Sequence, residues 1–340
     1  IMIIRMPGII ATIWPATQSK ERLMSLYENW VRILRFNCSH ASHEWMSTVL
    51  ATAREVERTV WNRFAFLLDT KWPWIRTWEL KEPVFYEKWQ EIKIVVDQDL
   101  VKDEDTMYID YPHIIKDVEV WSIIRIESWL LDIKVTKKWK DYIIWVAENE
   151  AEITSKRHVN LPWIPIKLPW LTDKDKDDIL FAIEHNMSYV ALSFARKWED
   201  VQELKEFLYK NGWAHLKVIA KIENQEWIDN IASIIRNADA IMVARWDLGA
   251  EVPVETIPSH QINLISKAKR KWKKVIVATQ MLESMITNHF PPRAEVSDIF
   301  YAVSQWADYL MLSWETSMWK YPISCIKVMN KIINEAEKYI

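Results

Sequence analysis

The chain has 340 residues, half of them apolar, which is enough for one large domain or two. A formal net charge of −3 argues against general nucleic-acid binding, and no apolar run is long enough for a transmembrane helix. Arg5 and Pro7 interrupt the apolar N-terminal stretch, which therefore lacks the form of a signal peptide, and Cys38 and Cys325 are too few for a disulfide framework. We expect a cytoplasmic protein with neither a nucleic-acid nor a membrane partner.

Eight short apolar runs follow one another along the chain, and a segment with helical periodicity lies between most of them. The runs are IIATI (9–13), VRILRF (31–36), FAFLL (64–68), YVALSF (189–194), LKVIAKI (216–222), AIMVA (240–244), VIVA (275–278) and YLML (309–312). Strand–helix alternation repeated eight times is typical of a (β/α)8 TIM barrel, so an α/β fold of this type is predicted. The segment 321–340 predicts the eighth helix.

One interval breaks this alternation. The third run ends near Leu68 and the fourth begins near Tyr189, and the residues between them contain strand-like stretches such as KIVVD, VEVWSIIRI and DYIIWV. They predict an all-β domain of about 95 residues inserted after strand three, within the usual size range of domains. We expect the barrel to comprise residues 1–71 and 170–340 and the inserted domain residues 72–169.

Glycine and tryptophan occur at abnormal frequencies. The chain contains 3 glycines and 22 tryptophans, whereas an average glycine content of about 7% predicts about 24 glycines at this length. Four amphipathic segments end at a tryptophan and pass directly into an apolar run, namely at Trp30, Trp61, Trp272 and Trp306. The residue that follows a helix end is commonly a glycine with left-handed backbone geometry.

We therefore interpret most of the tryptophans as glycine positions, encoded by UGA, a codon that the source organism would read as glycine. Trp14 and Trp72 precede prolines and Trp139 lies at a predicted hairpin tip, which are also positions typical of glycine. The alternative is a tryptophan-rich core or a sugar-binding surface, but core tryptophans should follow helix or strand periodicity. We expect the chain with all its tryptophans to fold poorly and to lack activity.

Polar residues follow the predicted barrel strands, at the edge where such barrels carry their active sites. Glu223 and Asp247 end neighbouring strands, so their carboxylates can converge on Mg²⁺, which prefers oxygen ligands. Lys221 lies two residues before Glu223 and points the same way, as a site for a migrating phosphoryl group requires. A structural ion pair between Lys221 and Glu223 is the alternative.

Longer motifs at these strand ends resemble those of the pyruvate kinase family when each tryptophan is read as glycine. They are LRFNCSH, LLDTKWPWIRT, KVIAKIENQEWIDNI, IMVARWDLGAEVP, VIVATQMLESM with PPRAEVSDI, and LSWETSMWKYP. The resemblance covers essentially the whole chain, including the inserted domain, which corresponds to the family's lid. It implies transfer of the phosphoryl group of phosphoenolpyruvate to ADP, giving pyruvate and ATP.

The resemblance also implies roles for individual residues. Glu223 and Asp247 would hold Mg²⁺ or Mn²⁺, Lys221 would stabilise the phosphoryl group, and Arg35 would contact the substrate phosphate. The substrate carboxylate would be held by Thr279 and the backbone at Trp246–Asp247, and Thr279 and Ser313 would relay a proton. Potassium would be bound by Asn37, Ser39, Asp69 and Thr70, and the nucleotide phosphates would lie near Asn37, His40, Arg76 and Lys197.

Three departures from the family pattern bear on these expectations. Trp74 occupies a position where the family carries glutamate or lysine, according to potassium dependence, so the need for potassium is open. Glu127-Ser128-Trp129 replaces an Asp-Asp-Gly turn of the lid. The family usually continues with a further C-terminal domain, which is absent from this sequence and which carries part of the interface of a homotetramer.

Other functions remain as alternatives. A non-catalytic relative could bind nucleotide or phosphoenolpyruvate as a sensor, and a barrel lyase or aldolase could act on pyruvate with Mg²⁺ but would need no nucleotide lid. The basic run KAKRKWKK (267–274) is interpreted as a helix C-terminus rather than a nucleic-acid patch. His40 and His43 are interpreted as part of a solvated helix start rather than a zinc site, and Cys38 as a packing residue.

Overall fold

The structure is a computed structural model that describes residues 6–71, 75–80, 82–101, 103, 105–164, 166–194, 196–212, 215–317 and 320–340. The chain divides into two compact units. The first unit comprises Ile1–Trp72, Trp170–Trp246 and Ile257–Ile340, and the second comprises Pro73–Pro169 and Asp247–Thr256. No helix within these described ranges is long and apolar enough to cross a membrane.

The strands and helices alternate in the first unit, whereas strands dominate the second. In chain order the strands are β1 (Gly8–Thr12), β2 (Val31–Asn37), β3 (Ala65–Asp69), β4 (Val84–Tyr86), β5 (Glu91–Val95), β6 (Thr106–Tyr108), β7 (Ile123–Ile126), β8 (Leu131–Lys138), β9 (Ile143–Ala147), β10 (Ala151–Ile153), β11 (Val159–Asn160), β12 (Tyr189–Leu192), β13 (Lys217–Ile222), β14 (Ala240–Ala244), β15 (Lys274–Ala278) and β16 (Tyr309–Leu312).

The α-helices follow the same chain order. They are α1 (Lys20–Glu28), α2 (His43–Val60), α3 (Ile114–Asp117), α4 (Asp173–Glu184), α5 (Trp198–Lys210), α6 (Gln225–Asp229), α7 (Ile231–Asn237), α8 (Arg245–Glu251), α9 (Ile257–Lys269), α10 (Arg293–Ser304), α11 (Trp314–Ser317) and α12 (Pro322–Ala336).

Eight parallel strands of the first unit close into a barrel in the order β1-β16-β15-β14-β13-β12-β3-β2. All of these strands point the same way, so their C-terminal ends meet at one edge of the barrel. The predicted (β/α)8 barrel is confirmed. Its strands are apolar almost without interruption because they are buried both by the helices outside and by a central cluster that includes Ile10, Leu67 and Met242.

Local sequence signals explain where several barrel helices begin. Ser42 precedes α2 and its side chain accepts a hydrogen bond from the backbone N–H of Trp45, which satisfies a donor that the first helical turn leaves free. Thr172 and Asp175 form a reciprocal capping box at the start of α4. These caps start both helices immediately after a loop, as the alternating pattern of the chain requires.

The second unit contains a six-stranded sheet in the order β11-β7-β8-β9-β5-β6 and a two-stranded sheet of β10 and β4. Its own apolar core includes Trp78, Ile94, Ile133 and Trp145, so the prediction of a β domain inserted after strand three is confirmed. The short helix α3 interrupts the all-β pattern. Sequence analysis had assigned Asp247–Thr256 to the barrel, but this segment groups with the second unit.

Among the described residues, seven tryptophans have a left-handed backbone, with φ between 53° and 79°: Trp30, Trp61, Trp89, Trp121, Trp163, Trp272 and Trp306. The four helix-end tryptophans predicted to occupy such positions are among them. Left-handed geometry is rare for bulky residues and routine for glycine. Trp61 and Trp272 are 93% and 95% exposed, so packing offsets almost none of this conformational cost. Trp139 lies at the tip of the β8–β9 hairpin, as predicted, and Trp72 and Trp74 lie outside the described residues.

Candidate active site

A buried group of charged side chains lies at the C-terminal edge of the barrel. Asp69, at the end of β3, accepts a hydrogen bond from Arg35 Nε at 2.7 Å through Oδ2. Its other oxygen, Oδ1, lies 3.2 Å from Lys221 Nζ. Lys221 Nζ also lies 2.7 Å from Glu223 Oε1, so the ammonium is held between two carboxylates. The structure brings together four of the predicted site residues from three strands.

Two hydroxyl groups that sequence analysis missed complete this charged group. Ser193 Oγ accepts a hydrogen bond from Lys221 Nζ at 2.9 Å and lies 3.2 Å from Asp69 Oδ1. Thr12 Oγ1 accepts from Arg35 Nη1 at 2.8 Å. Both residues are hidden at the ends of apolar runs, and their position directly at a barrel strand end is the signal that could have identified them.

The electrostatics of the group keep Asp69 ionised. Burial by itself would raise the pKa of Asp69, but the nearby charges of Lys221 and Arg35 outweigh it, and the pKa is lowered from its usual value. Because both cations and the carboxylate are buried, each charge depends on the others for its stability. The arrangement presents Lys221 and Arg35 as fixed positive charges beside a buried anion.

Glu223 is fully buried, and its Oε2 accepts a hydrogen bond from the backbone N–H of Phe194 at 2.7 Å. Asp247, the second predicted metal ligand, lies in α8 within the segment that groups with the second unit. Among the described residues, no group of three or more His, Cys, Asp and Glu side chains could hold a metal. The binding of Mg²⁺ by Glu223 and Asp247 therefore stays a prediction.

Thr279 follows β15 in an unusual conformation. Its φ is 68°, and that of Gln280 is 53°, although neither residue is glycine. The hydroxyl of Thr279 accepts a hydrogen bond from the backbone N–H of Trp246 at 2.9 Å. Strained backbone of this kind occurs at functional sites when neighbouring groups hold it in place.

Arg245 is the group that holds this turn, and it was not among the predicted site residues. Its guanidinium donates to the carbonyl oxygen of Thr279 at 2.6 Å and to that of Gln280 at 3.0 Å. Nη1 of the same guanidinium donates to Asp298 Oδ1 at 2.6 Å. The motif IMVARWDLGAEVP contains Arg245 directly after β14, and this position was the available signal.

A cavity of about 30 Å³ lies beside Thr279 and is lined by Trp246, Thr279, Gln280, Glu283, Ser313, Trp314 and Glu315. Glu315 holds the end of β16 by accepting from the backbone N–H of Ser313 at 2.7 Å. The buried Oγ of Ser313 makes no hydrogen bond within the described part of the chain. Thr279 and Ser313, the two predicted proton-relay residues, therefore line the same cavity.

The predicted potassium ligands lie near the charged group, and their oxygens contact protein groups. Asn37 Oδ1 accepts from the backbone N–H of Ser39 at 3.1 Å, and Thr70 Oγ1 donates to the carbonyl oxygen of Ala191 at 3.2 Å. Asp69 is bound to the two cations described above.

The predicted nucleotide contacts are divided between the units. The ring of His40 lies 6.2 Å from that of Trp14 and 6.0 Å from that of Trp314 in the first unit, measured between centroids. Lys197 directly precedes α5 in the same unit. Arg76 belongs to the second unit, where its Nη1 donates to the carbonyl oxygen of Lys156 at 2.7 Å.

Two residues that were considered as metal or nucleophile candidates have structural contacts. His43 Nε2 lies 2.7 Å from Asp178 Oδ1 at the start of α2. Cys38 is buried, and burial raises the pKa of its thiol well above the usual value. A thiol in this environment is a poor nucleophile, so the interpretation of Cys38 as a packing residue is confirmed.

Comparison with known proteins assigns this arrangement to a family. Residues 4–326 match the family described as pyruvate kinase, barrel domain. The pyruvate kinase of Staphylococcus haemolyticus is 38% identical over 98% of this chain and 57% of its own length. That of Borreliella burgdorferi is 36% identical over 99% of this chain and 70% of its own length.

A solved structure agrees with these relatives. A pyruvate kinase from Cryptosporidium parvum superposes with a TM-score of 0.94 at 35% identity, over 99% of this chain and 70% of that one. The chain spans 57% of the length of the first two curated relatives. Because the family match covers nearly all of the sequence and the charged group lies at the barrel edge that carries active sites, this chain belongs to the pyruvate kinase family.

Proposed function

We propose that this chain forms the catalytic part of a pyruvate kinase, which transfers the phosphoryl group of phosphoenolpyruvate to ADP and yields pyruvate and ATP. One observation carries the proposal. The ammonium of Lys221 is buried at the barrel edge between Asp69 and Glu223, 3.2 Å and 2.7 Å away. Phosphoryl transfer needs positioning and charge neutralisation more than covalent chemistry, and a buried, oriented cation supplies both.

Arg35 and Lys221 act on the phosphate. Asp69 fixes Arg35 through Nε, and Thr12 accepts from its Nη1. The remaining guanidinium nitrogen, Nη2, can donate to the phosphate of bound phosphoenolpyruvate, and Lys221 offsets the charge of the phosphoryl group as it moves. Preorganised charges of this kind need no rearrangement at the moment of transfer, which lowers the barrier.

The cavity beside Thr279 receives the carboxylate end of the substrate. The Thr279 hydroxyl and the backbone at Trp246–Asp247 hold the carboxylate. Proton transfer to enolpyruvate then runs through the hydroxyls of Thr279 and Ser313. Support comes from the buried Ser313 Oγ, which lacks a hydrogen bond within the described residues and lines the same cavity.

The remaining ligands follow the family resemblance. Glu223 and Asp247 would hold Mg²⁺ or Mn²⁺, which supplies positive charge for the substrate oxygens. Asn37, Ser39, Asp69 and Thr70 would hold K⁺, although the two cations on Asp69 disfavour a third. Asn37, His40, Arg76 and Lys197 would contact the nucleotide. A homotetramer and a cytoplasmic location belong to the same proposal.

The proposed function requires glycine rather than tryptophan at positions 246 and 314, beside the cavity. The cavity beside Thr279 has a volume of only about 30 Å³. Two indole rings, those of Trp246 and Trp314, line it. Glycine at both positions removes these rings and opens the cavity to the substrate.

The test compares two synthetic chains. One has the sequence as printed, and the other has glycine at Trp246, Trp314 and the seven left-handed tryptophans; we call the latter the nine-glycine chain. ATP formation from phosphoenolpyruvate and ADP is measured with Mg²⁺, with and without K⁺. We expect the nine-glycine chain to form ATP, and we expect Lys221→Ala in that chain to abolish this turnover.

Three other outcomes contradict parts of the proposal. Equal turnover by the chain with all its tryptophans would refute the glycine interpretation. A folded nine-glycine chain that binds Mn²⁺ and phosphoenolpyruvate without turnover would be a sensor or would need further residues of a longer protein. Turnover of pyruvate without ADP would indicate a lyase or aldolase.

A further inference from the structure

Two carboxyl groups line the cavity beside Thr279, together with the hydroxyls proposed to relay a proton. Apart from the two tryptophans, the lining residues are Thr279, Gln280, Glu283, Ser313 and Glu315. They lie in the turns that follow the neighbouring strands β15 and β16, within the first unit. Of these lining residues, Glu283 and Glu315 are the two whose side chains titrate at ordinary pH.

Glu315 is occupied by the backbone of these turns. Its Oε2 accepts a hydrogen bond from the N–H of Ser313 at 2.7 Å. Its Oε1 accepts from the N–H groups of Met281 and Leu282, each at 3.3 Å. The residue is only 3% exposed. Because both oxygens hold backbone donors and the side chain is buried, Glu315 suits an anion that ties the two turns together and is poorly placed to exchange protons with water.

Glu283 is placed differently. It begins a short 3₁₀-helix, Glu283–Ile286, and is partly buried, so it lines the cavity and also stays within reach of water. Burial raises the pKa of its carboxyl group, the charges of Glu315 and Glu295 raise this pKa further, and a hydrogen bond with Gln280 opposes the rise. Glu283 therefore keeps its proton to a higher pH than an ordinary glutamate does.

The proposed reaction consumes a proton, because phosphoenolpyruvate, ADP and one proton give pyruvate and ATP. The hydroxyls of Thr279 and Ser313 can pass a proton along, but each must receive a proton for every one that it gives. A relay made of these two hydroxyls alone therefore lacks a source. Two carboxyl groups in one site, of which one is fixed by hydrogen bonds and the other keeps its proton, are an arrangement from which enzymes obtain an acid.

The hydroxyl of Ser313 is a second, independent sign of a proton path. Ser313 is 9% exposed, and its Oγ makes no hydrogen bond within the described part of the chain. A buried hydroxyl without a partner is unfavourable, so such a group calls for a water or substrate atom that completes it. Because Ser313 lines the same cavity as Glu283 and Thr279, its hydroxyl can connect the two when the cavity is filled.

We propose that Glu283 supplies the proton that the Thr279–Ser313 relay delivers to the substrate. The inference rests on the proposed function, since it names the acid behind the same relay. The O–H bond of Glu283 breaks as its proton passes to the hydroxyl pair. The hydroxyl that faces the substrate gives its own proton to carbon 3 of the enolate, which forms the methyl group of pyruvate. Glu283 is left as a carboxylate and takes up a new proton from solvent before the next turnover.

The test measures phosphoryl transfer and proton transfer separately in the nine-glycine chain. ATP formation from phosphoenolpyruvate and ADP reports the first step. Exchange of the methyl protons of pyruvate for deuterium in D₂O, with Mg²⁺, K⁺ and ATP, reports the second and is followed by NMR. Glu283→Gln is expected to lower the exchange rate about 10²-fold, a usual contribution of a general acid, with ATP formation largely retained. In this variant enolpyruvate would leave the chain and tautomerise in solution, so pyruvate should appear later than ATP.

Three further variants distinguish an acid from a structural residue. Glu283→Asp keeps a carboxyl group on the same backbone, so it should restore part of the exchange that Glu283→Gln loses. Glu315→Gln weakens the anion that holds both turns and should lower ATP formation and exchange together. Glu184→Gln, at the exposed end of α4, is the matched control and should change neither rate.

Two results would overturn the inference. The first is a Glu283→Gln chain that exchanges the methyl protons as fast as the nine-glycine chain does. The second is a parallel loss of exchange and of ATP formation in Glu283→Gln, which would give Glu283 the same structural role as Glu315. Failure of the proposed function gives a different result, namely a nine-glycine chain that forms no ATP although Glu283 is intact.

Discussion

The guanidinium of Arg245 donates to the carbonyl oxygen of Thr279 at 2.6 Å, and Thr279 has a left-handed backbone with φ of 68°. A threonine in this conformation costs about 1–3 kcal/mol. Arg245 offsets that cost, because it also donates to the next carbonyl, that of Gln280, and is itself fixed by Asp298. The hydroxyl that is proposed to receive the substrate carboxylate thus depends on a residue that does not line the cavity beside Thr279.

Arg245→Lys should therefore weaken substrate binding more than it slows the chemical step. A lysine cannot donate to both carbonyls and to Asp298 at once, so the Thr279 turn should relax. In the nine-glycine chain we expect KM for phosphoenolpyruvate to rise about tenfold, which corresponds to about 1.4 kcal/mol, with a smaller change in kcat. Steady-state kinetics check this, with Arg270→Lys on the surface as the control. A fall in kcat without a change in KM would contradict it.

Lys221→Met should abolish turnover and destabilise the fold. Loss of the Lys221 ammonium, which offsets the charge of the moving phosphoryl group, should lower kcat by about 10³-fold or more. Glu223 would then lose the buried cation that faces it, whereas Asp69 would keep Arg35. Leaving a buried charge unpaired costs about 3–5 kcal/mol. Urea unfolding and the ATP assay measure the two effects. Lys217→Met, at the exposed start of the same strand, is the matched control, and an equally stable Lys221→Met chain would contradict the proposed charge balance.

Glu251 should make stability depend on pH. Burial raises its pKa to about 7 from 4.5, with Asp247 adding to the rise and Asn160 and Arg125 opposing it. The folded state binds the proton of Glu251 more tightly than the unfolded state does. The contribution of Glu251 to stability is therefore complete below pH 4.5 and is lost as the pH rises to about 7. Glu251→Gln keeps an acceptor for Asn160 and removes the charge.

The variant Glu251→Gln should therefore gain stability relative to the parent between pH 5 and pH 8. A shift of this size corresponds to about 3 kcal/mol at most, and the nine-glycine chain is the suitable background. Urea unfolding at the two pH values measures the difference. Parallel stability curves for parent and variant would show that Glu251 does not titrate in this range.

Replacing exposed left-handed tryptophans by glycine should stabilise the chain. Trp61→Gly and Trp272→Gly each remove an unfavourable backbone conformation of about 1 kcal/mol and lose almost no packing, because both rings are exposed. Trp145→Gly is the control, since Trp145 is fully buried in strand β9 and its loss should cost about 3–5 kcal/mol. Thermal and urea unfolding measure these changes, and destabilisation by the first two would contradict the glycine interpretation.

The sequence by itself determined the barrel fold and the backbone geometry just after several of its helices. Eight apolar runs separated by helical segments leave a closed parallel barrel as the arrangement that buries every strand on both sides. Lys221 and Glu223 were predictable as neighbours because alternate residues of one strand point the same way. Trp30, Trp61, Trp272 and Trp306 were predictable as left-handed because the residue just past a helix end commonly adopts that geometry.

Tertiary structure alone decided which distant groups meet. Ser193 and Thr12 join the charged group because β12 and β1 stop at the same edge as β13 and β2. Their position at a strand end marks them as candidates, but their partners follow only from the way the strands pair. Arg245, after β14, reaches Thr279, after the neighbouring strand β15, and Asn160 reaches Glu251 across 91 positions of the chain. Such contacts depend on the packed arrangement of whole elements, since side-chain direction follows from local backbone geometry but the identity of the partner follows only from the fold.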